Sequence, residues 1–326
     1  MQPRLLGRTG LSISPIAFGC GPVSALLVGD DVEQQRRVVE HAVSRGVNWF
    51  DSAAGYGDGR SETALGRALG ELGITDRVHV ATKVRLRSED LNDIGSAVRR
   101  SVEQSLRRLR LPSVTLLQLH NSITPRRDDE PTSITPADVL GPRGVAEVFD
   151  ELRSAGLVRC VGLTGIGNPA ALREVVCSGR FDTMQVPYHF LNPSAGRVMS
   201  ADFAETNFGN IIADCAEMQM GVMAIRVFAA GALLDNPPSV HTHKTPFFPL
   251  DLYERDRRRA AELRLQMNGN PSPAHTAVRF ALAHPQIHAA IIGFAETWQI
   301  DEAVAAADSL AAHTYNLTET ESSTAT

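Results

Sequence analysis

The sequence has little that would carry the chain out of a reducing, aqueous compartment. The four cysteines, Cys20, Cys160, Cys177 and Cys215, lie far apart and form no CxxC pair. This excludes a disulfide scaffold or a zinc ribbon and reads as the reduced thiols of a cytoplasmic protein. The opening MQPRLLGRTG has no apolar run of the secretory type. The longest apolar stretch, 222–234, is too short for a membrane span and is interrupted by Arg226. A basic surplus is missing as well. Lys+Arg 32 against Asp+Glu 37 gives −5, so no global field draws nucleic acid or acidic membrane as partners.

Short β-branched runs alternate with amphipathic stretches along the chain. Strand-like runs cover 16–18, 47–50, 78–82, 114–119, 158–163, 183–186, 222–225 and 289–292. Helix-like stretches cover 32–45, 61–72, 91–109, 145–155, 170–176, 208–219, 273–283 and 298–309. Eight strand–helix alternations predict an α/β protein with parallel strands, either a closed (β/α)8 TIM barrel or a doubly wound sheet. Length divided by about 150 suggests two domains, but a single barrel reaches 326 residues unaided. The reading is one barrel domain over 1–313 and a polar, irregular tail over 314–326. Two polar stretches, 124–143 and 235–250, interrupt the rhythm as long loops of the kind that carry function.

The choice of barrel comes from what ends each strand. In order, the runs end in or contain Asp51, Lys83, His120, Thr164, Gln185, Arg226 and Gly293. Polar residues at one end of apolar strands are what the active-site mouth of a parallel barrel needs. Tyr56 follows Asp51 on a glycine-flanked loop, "FDSAAGYGDGRSE". A phenol has a pKa near 10, too high for easy proton donation. The Lys83 ammonium is expected to lower it, Asp51 keeps Lys83 charged, and His120 can hold a substrate oxygen. Taken singly, Asp51, Lys83 and His120 each have a structural reading as well as a functional one; their shared place at strand ends, with Tyr56, favours function. His241 and His243 form an HxH pair without a third ligand and read as a solvated loop, so no metal is expected. The run from Gly165 to Ala170 mimics a GxGxxA fingerprint but falls after the fifth strand, so it reads as a barrel loop.

With these motifs in order, "FDSAAGYGDGRSETALG", "ATK", "LLQLHN", "VRCVGLTGIG", "QVPYHFLNPSAG", "FAAGAL" and "IIGFAETWQIDEA", the chain resembles the aldo-keto reductase superfamily over almost its full length. The resemblance implies hydride transfer between a nicotinamide and a carbonyl or alcohol substrate. Tyr56 would be general acid/base, assisted by Lys83 and Asp51, and His120 would orient the carbonyl. It implies cofactor contacts from Gly21, Thr164, Gln185, Arg226, Phe228, Gly293, Ala295, Gln299 and Glu302. It favours NADP(H), while Gln299, where many members have a basic residue, leaves NAD(H) open. Ile225 stands where an aromatic residue usually stacks on the nicotinamide, a contact that Tyr188 or Phe228 could supply. The expected substrate pocket includes Cys20, Asn121, Tyr188 and His189. A competing reading is a cofactor-binding regulatory subunit with little turnover. No pattern specifies an oligomeric state.

Overall fold

The computed structural model describes residues 1–244, 250–266 and 272–322. A short hairpin, β1 (Arg4–Leu5) and β2 (Ser12–Ile13), precedes eight parallel strands. These are β3 (Ile16–Gly19), β4 (Trp49–Asp51), β5 (His79–Val84), β6 (Val114–Leu119), β7 (Val158–Thr164), β8 (Thr183–Pro187), β9 (Gly221–Ile225) and β10 (Ile287–Gly293). They close in chain order, β10 returning to pair with β3, as a (β/α)8 barrel. The helices are α1 (Val32–Ser44), α2 (Arg60–Leu72), α3 (Ile94–Leu109), α4 (Pro136–Leu140), α5 (Val145–Ser154) and α6 (Pro169–Cys177). They continue with α7 (Ile211–Glu217), α8 (Val240–Lys244), α9 (Leu250–Gln266), α10 (Pro273–Ala283) and α11 (Thr297–Ser322). Strands enclosed by helices are buried on both faces, which is why they read as nearly continuous apolar runs.

Two cores follow from the two-residue strand period. Outward side chains such as Phe18, Phe50, Val80 and Leu117 pack under the helices. Inward side chains Ala17, Trp49, Ala81, Leu116, Cys160, Met223 and Ala289 form a separate cluster with Leu6, Leu11 and Ile13. The last three come from the hairpin and the turn beside it, so the amino end of the barrel is plugged. Two residues further along β4 and β5, the same parity brings Asp51 and Lys83 inward. In β6 it passes through Gln118 to His120. The plug thereby sets the phase of the polar layer above it.

The structure departs from the sequence reading in several places, among them the short helices α4 and α8 inside the two stretches read as loops. The hairpin is absent from that reading because each strand has only two residues. α9 covers a stretch read as following a loop, and it is built from good helix formers, Ala, Glu, Arg and Leu. Its buried positions Tyr253, Asp256 and Ala260 are at helical spacing, but the central one is charged, which hides the stripe. The tail expected to be irregular from Thr314 is helical as far as Ser322, since no Gly or Pro stops α11; residues 323–326 lie outside the described set, as do 245–249 of the second long loop.

Candidate active site

Tyr56 reaches the mouth because the chain turns sharply after it. Gly57, Asp58 and Gly59 all have positive φ, at 59, 54 and 88°, and α2 then begins. Glycine takes such angles without strain, which accounts for its place on both sides of Asp58. Ser61 fixes the loop from below, its hydroxyl donating to the Cys20 carbonyl at 2.8 Å.

Lys83 is buried and directs all three N–H bonds at oxygens. It pairs with the Asp51 carboxylate, donates to the Ser52 carbonyl at 2.8 Å and to Tyr56 Oη at 3.3 Å. The other Asp51 oxygen accepts from Gln185 Nε2 at 2.5 Å, and the same amide nitrogen reaches Gln118 Oε1 at 2.7 Å. Gln118 in turn donates to the Leu163 carbonyl. The His120 ring meets Tyr56 edge-on, with centroids 5.7 Å apart and an interplanar angle of 81°. The structure therefore brings the four expected catalytic side chains together, and adds Gln118 as the residue that steadies Gln185.

The electrostatics correct one expectation. Burial pushes the Tyr56 phenol above its usual value; Lys83, and more weakly Arg85, pull against this without reversing it. Burial is the larger effect, and the Asp51 charge adds to it by offsetting part of the pull of Lys83. Burial works against the charge on Lys83, but the facing Asp51 outweighs it and the ammonium is held above its ordinary range. Burial, Arg85, Lys83 and His241 hold His120 well below the usual imidazole value, so its ring is neutral at physiological pH.

The cofactor-directed residues divide by location. Thr164 ends β7 and Gln185 pairs with it on β8. The Thr164 hydroxyl oxygen is buried without a hydrogen-bond partner among the described residues, an orphan that a carboxamide would satisfy. Gly21 lies against the Tyr56 ring; a Cβ there would stand 3.5 Å from its edge. Gly293 pairs with Gly19 at the rim. Beyond it, Gln299 Oε1 accepts the backbone N–H of Ala295 at 2.8 Å and of Glu296 at 3.1 Å. An oxygen acceptor thus already sits where a helix start would take a phosphate oxygen, and the local donors fit such a group once Gln299 turns away. Glu302 accepts from the Ser272 hydroxyl at 2.5 Å, joining α11 to the start of α10. Phe228 is partly buried, and its carbonyl opens the 3-10 turn Ala229–Leu234. Arg226, expected at the pyrophosphate, lines a cavity with His189, Asn192 and Asp256, whose charge acts on it.

The expected pocket residues are mostly placed elsewhere. Tyr188 stacks on Phe280 of α10 at 5.1 Å and meets His284 at 5.5 Å, outside the barrel. It lies three residues from the inward Gln185, an odd number, and so faces the other way; it cannot underlie a nicotinamide. Asn121 commits its amide to the backbone of Leu86 and Thr132. Cys20 is buried in the outer core. His189 is buried beside Arg226, its Nδ1 without a partner among the described residues, and burial with the nearby Arg226 and Arg259 pushes it down to about 3. The residues of the GxGxxA-like run act as loop structure: Gly167, at φ 122°, runs so close to Ile123 that a Cβ would stand 2.2 Å from its carbonyl oxygen.

The carboxyl-end mouth of the parallel barrel thus holds a tyrosine bonded to a buried lysine–aspartate pair, with a histidine alongside. Residues 26–322 match the Aldo/keto reductase family, and the chain belongs to it. L-galactose dehydrogenase of Arabidopsis thaliana is 25% identical over 315 residues, 95% of this chain and 89% of that one. Among solved structures, an aldo-keto reductase from Bacillus halodurans in its holo form superposes with TM-score 0.69 at 23% identity, covering 94% of this chain and 91% of that one. One from Klebsiella pneumoniae in complex with NADPH gives 0.66 at 19% identity, covering 94% and 90%. Among the described residues no helix is long and apolar enough to cross a membrane.

Proposed function

We propose that this chain, acting as one barrel unit over 1–313, interconverts a polar aldehyde or ketone with its alcohol, using Tyr56 as the proton donor and acceptor. The observation that carries the reading is the single hydrogen-bonded line from Asp51 through Lys83 to the Tyr56 hydroxyl, with the neutral His120 at its edge. In reduction, the carbonyl oxygen accepts a hydrogen bond from His120 and takes the Tyr56 proton. Lys83 stabilises the phenolate left behind, and solvent at the mouth restores the proton. In oxidation the phenolate removes the alcohol proton. Thr164 and Gln185 would hold a nicotinamide, which would supply or receive the hydride at the carbon.

For the dinucleotide we read NAD(H) over NADP(H). The side chains at the start of α11 include the amide of Gln299 and the carboxylates of Glu296 and Glu302, with Gln34 bonded to Glu296, while the nearby basic side chains His41 and Arg45 are already bonded to Asp301. None of these would neutralise a 2′-phosphate. The test is Tyr56→Phe with fluorescence titration of NADH and NADPH. Cofactor binding is expected to persist while carbonyl turnover falls by about 10²–10⁴-fold, the range for loss of a general acid. Turnover of simple aldehydes at the wild-type rate would overturn the assignment.

A further inference from the structure

We propose that the substrate carries an anionic group, a carboxylate or a phosphate, near its carbonyl, and that Arg85 at the mouth of the barrel receives it. The inference rests on the reductase reading above and names the substrate class of the same site. Lys83 and Gln118 are opposite each other in the β5–β6 register, and Val84 opposite Leu119. The next residues, Arg85 and His120, therefore stand side by side on the rim. The His120 N–H donates to the Val84 carbonyl at 2.8 Å, and Arg85 Nη2 donates to the His120 carbonyl at 3.3 Å. This anchors an exposed guanidinium next to the ring that orients the carbonyl.

Its position separates it from the dinucleotide. Apart from Gly21, which follows β3, the residues assigned to the cofactor come from β7 to β10 and the start of α11, whereas Arg85 follows β5 on the opposite part of the ring. Arg85 acts electrostatically on the rings beside it. The charges acting on His120 come from Arg85, Lys83 and His241, and those acting on His241 come from Arg85 and Arg226. Asp51, the carboxylate of the site, is bonded to Lys83 and Gln185. With Lys83 balanced by Asp51, a carbonyl compound entering between Tyr56, His120 and Arg85 meets the Arg85 guanidinium, which favours an anion over a neutral analogue of the same shape. Arginine offers planar paired donors suited to either oxyanion.

The experiment compares kcat/KM for 4-carboxybenzaldehyde with its methyl ester, and for glyceraldehyde 3-phosphate with glyceraldehyde. The wild type should prefer the anion in at least one pair by about tenfold or more, as expected for one charge-assisted contact. The two pairs distinguish carboxylate from phosphate. Arg85→Ala should bring that ratio near one, chiefly through KM, Arg85→Glu should invert it, and Arg85→Lys should retain part of it. A wild-type ratio near one in both pairs, or an unchanged ratio in Arg85→Ala, overturns the inference and leaves the reductase reading intact. Calorimetric titration with benzoate and benzamide, on the protein alone and with dinucleotide added, gives a readout independent of turnover. Preferential benzoate binding lost in Arg85→Ala supports the anion site even if no carbonyl is reduced; equal binding of the two overturns it.

Discussion

Lys83 touches Tyr56 twice, donating to its hydroxyl at 3.3 Å and standing 4.9 Å from the ring centroid. The same ammonium is the principal group opposing the rise in the phenol's pKa. Lys83→Met should therefore push the phenol further up and leave Asp51 without its ion partner. Alcohol oxidation at neutral pH is expected to fall by about two orders of magnitude or more, and the basic limb of its pH profile to move to higher pH. A Lys83→Met profile that overlays the wild type would show that the two residues are not coupled.

The raised Tyr56 pKa gives the two directions opposite pH dependence. Oxidation needs the phenolate, so below its pKa, which lies above the usual 10, kcat/KM for an alcohol should rise about tenfold per pH unit wherever proton removal limits the rate. Reduction needs the phenol, which is fully present throughout that range, so its kcat/KM should stay flat and fall only above the pKa. Paired profiles with one alcohol and its aldehyde check this. Oxidation independent of pH between about 7 and 9 would remove Tyr56 as the base.

Gln299 caps its own helix and brings no charge. Gln299→Arg should improve NADPH binding relative to NADH by about tenfold or more, the value of one charged hydrogen bond. The ratio of dissociation constants is the readout. An unchanged ratio would mean that the 2′-phosphate falls away from this helix start.

Away from the mouth, Glu62 is fully buried, accepting from Arg108 Nε at 2.7 Å and from the Thr82 hydroxyl. Removing one partner of a buried pair leaves an uncompensated charge. Arg108→Ala should cost about 3–5 kcal/mol in urea unfolding, and adding Glu62→Leu should restore much of it. Equal loss in the single and double variants would assign the cost to packing instead.

The barrel and the four central residues were legible because both depend on strand parity. A polar side chain two residues beyond an inward apolar one must also face inward, and Asp51 and Lys83 obey that rule. Gln118 obeys it too, and its polarity within LLQLH was the available signal for a residue the sequence reading missed. Tyr188 shows the rule applied too little: its odd separation from Gln185 already directs it outward. Cys20, two residues beyond the outward Phe18, follows the same parity, whereas the loop contacts made by Asn121 and by the residues after Cys20 could not be placed this way. Those contacts depend on how the loops after β5 and β6 fold over each other and on how β3 leaves the rim, and no periodicity encodes that. The sign of the Tyr56 shift was out of reach for a different reason. It depends first on how deeply the phenol is buried and then on how far Asp51 offsets Lys83, neither of which residue types alone specify.

The hairpin that fills the amino end with Leu6, Leu11 and Ile13 makes the barrel a vessel with one opening. Access to the layer that holds Asp51 and Lys83 is therefore from the other rim, where Arg85 and His120 stand.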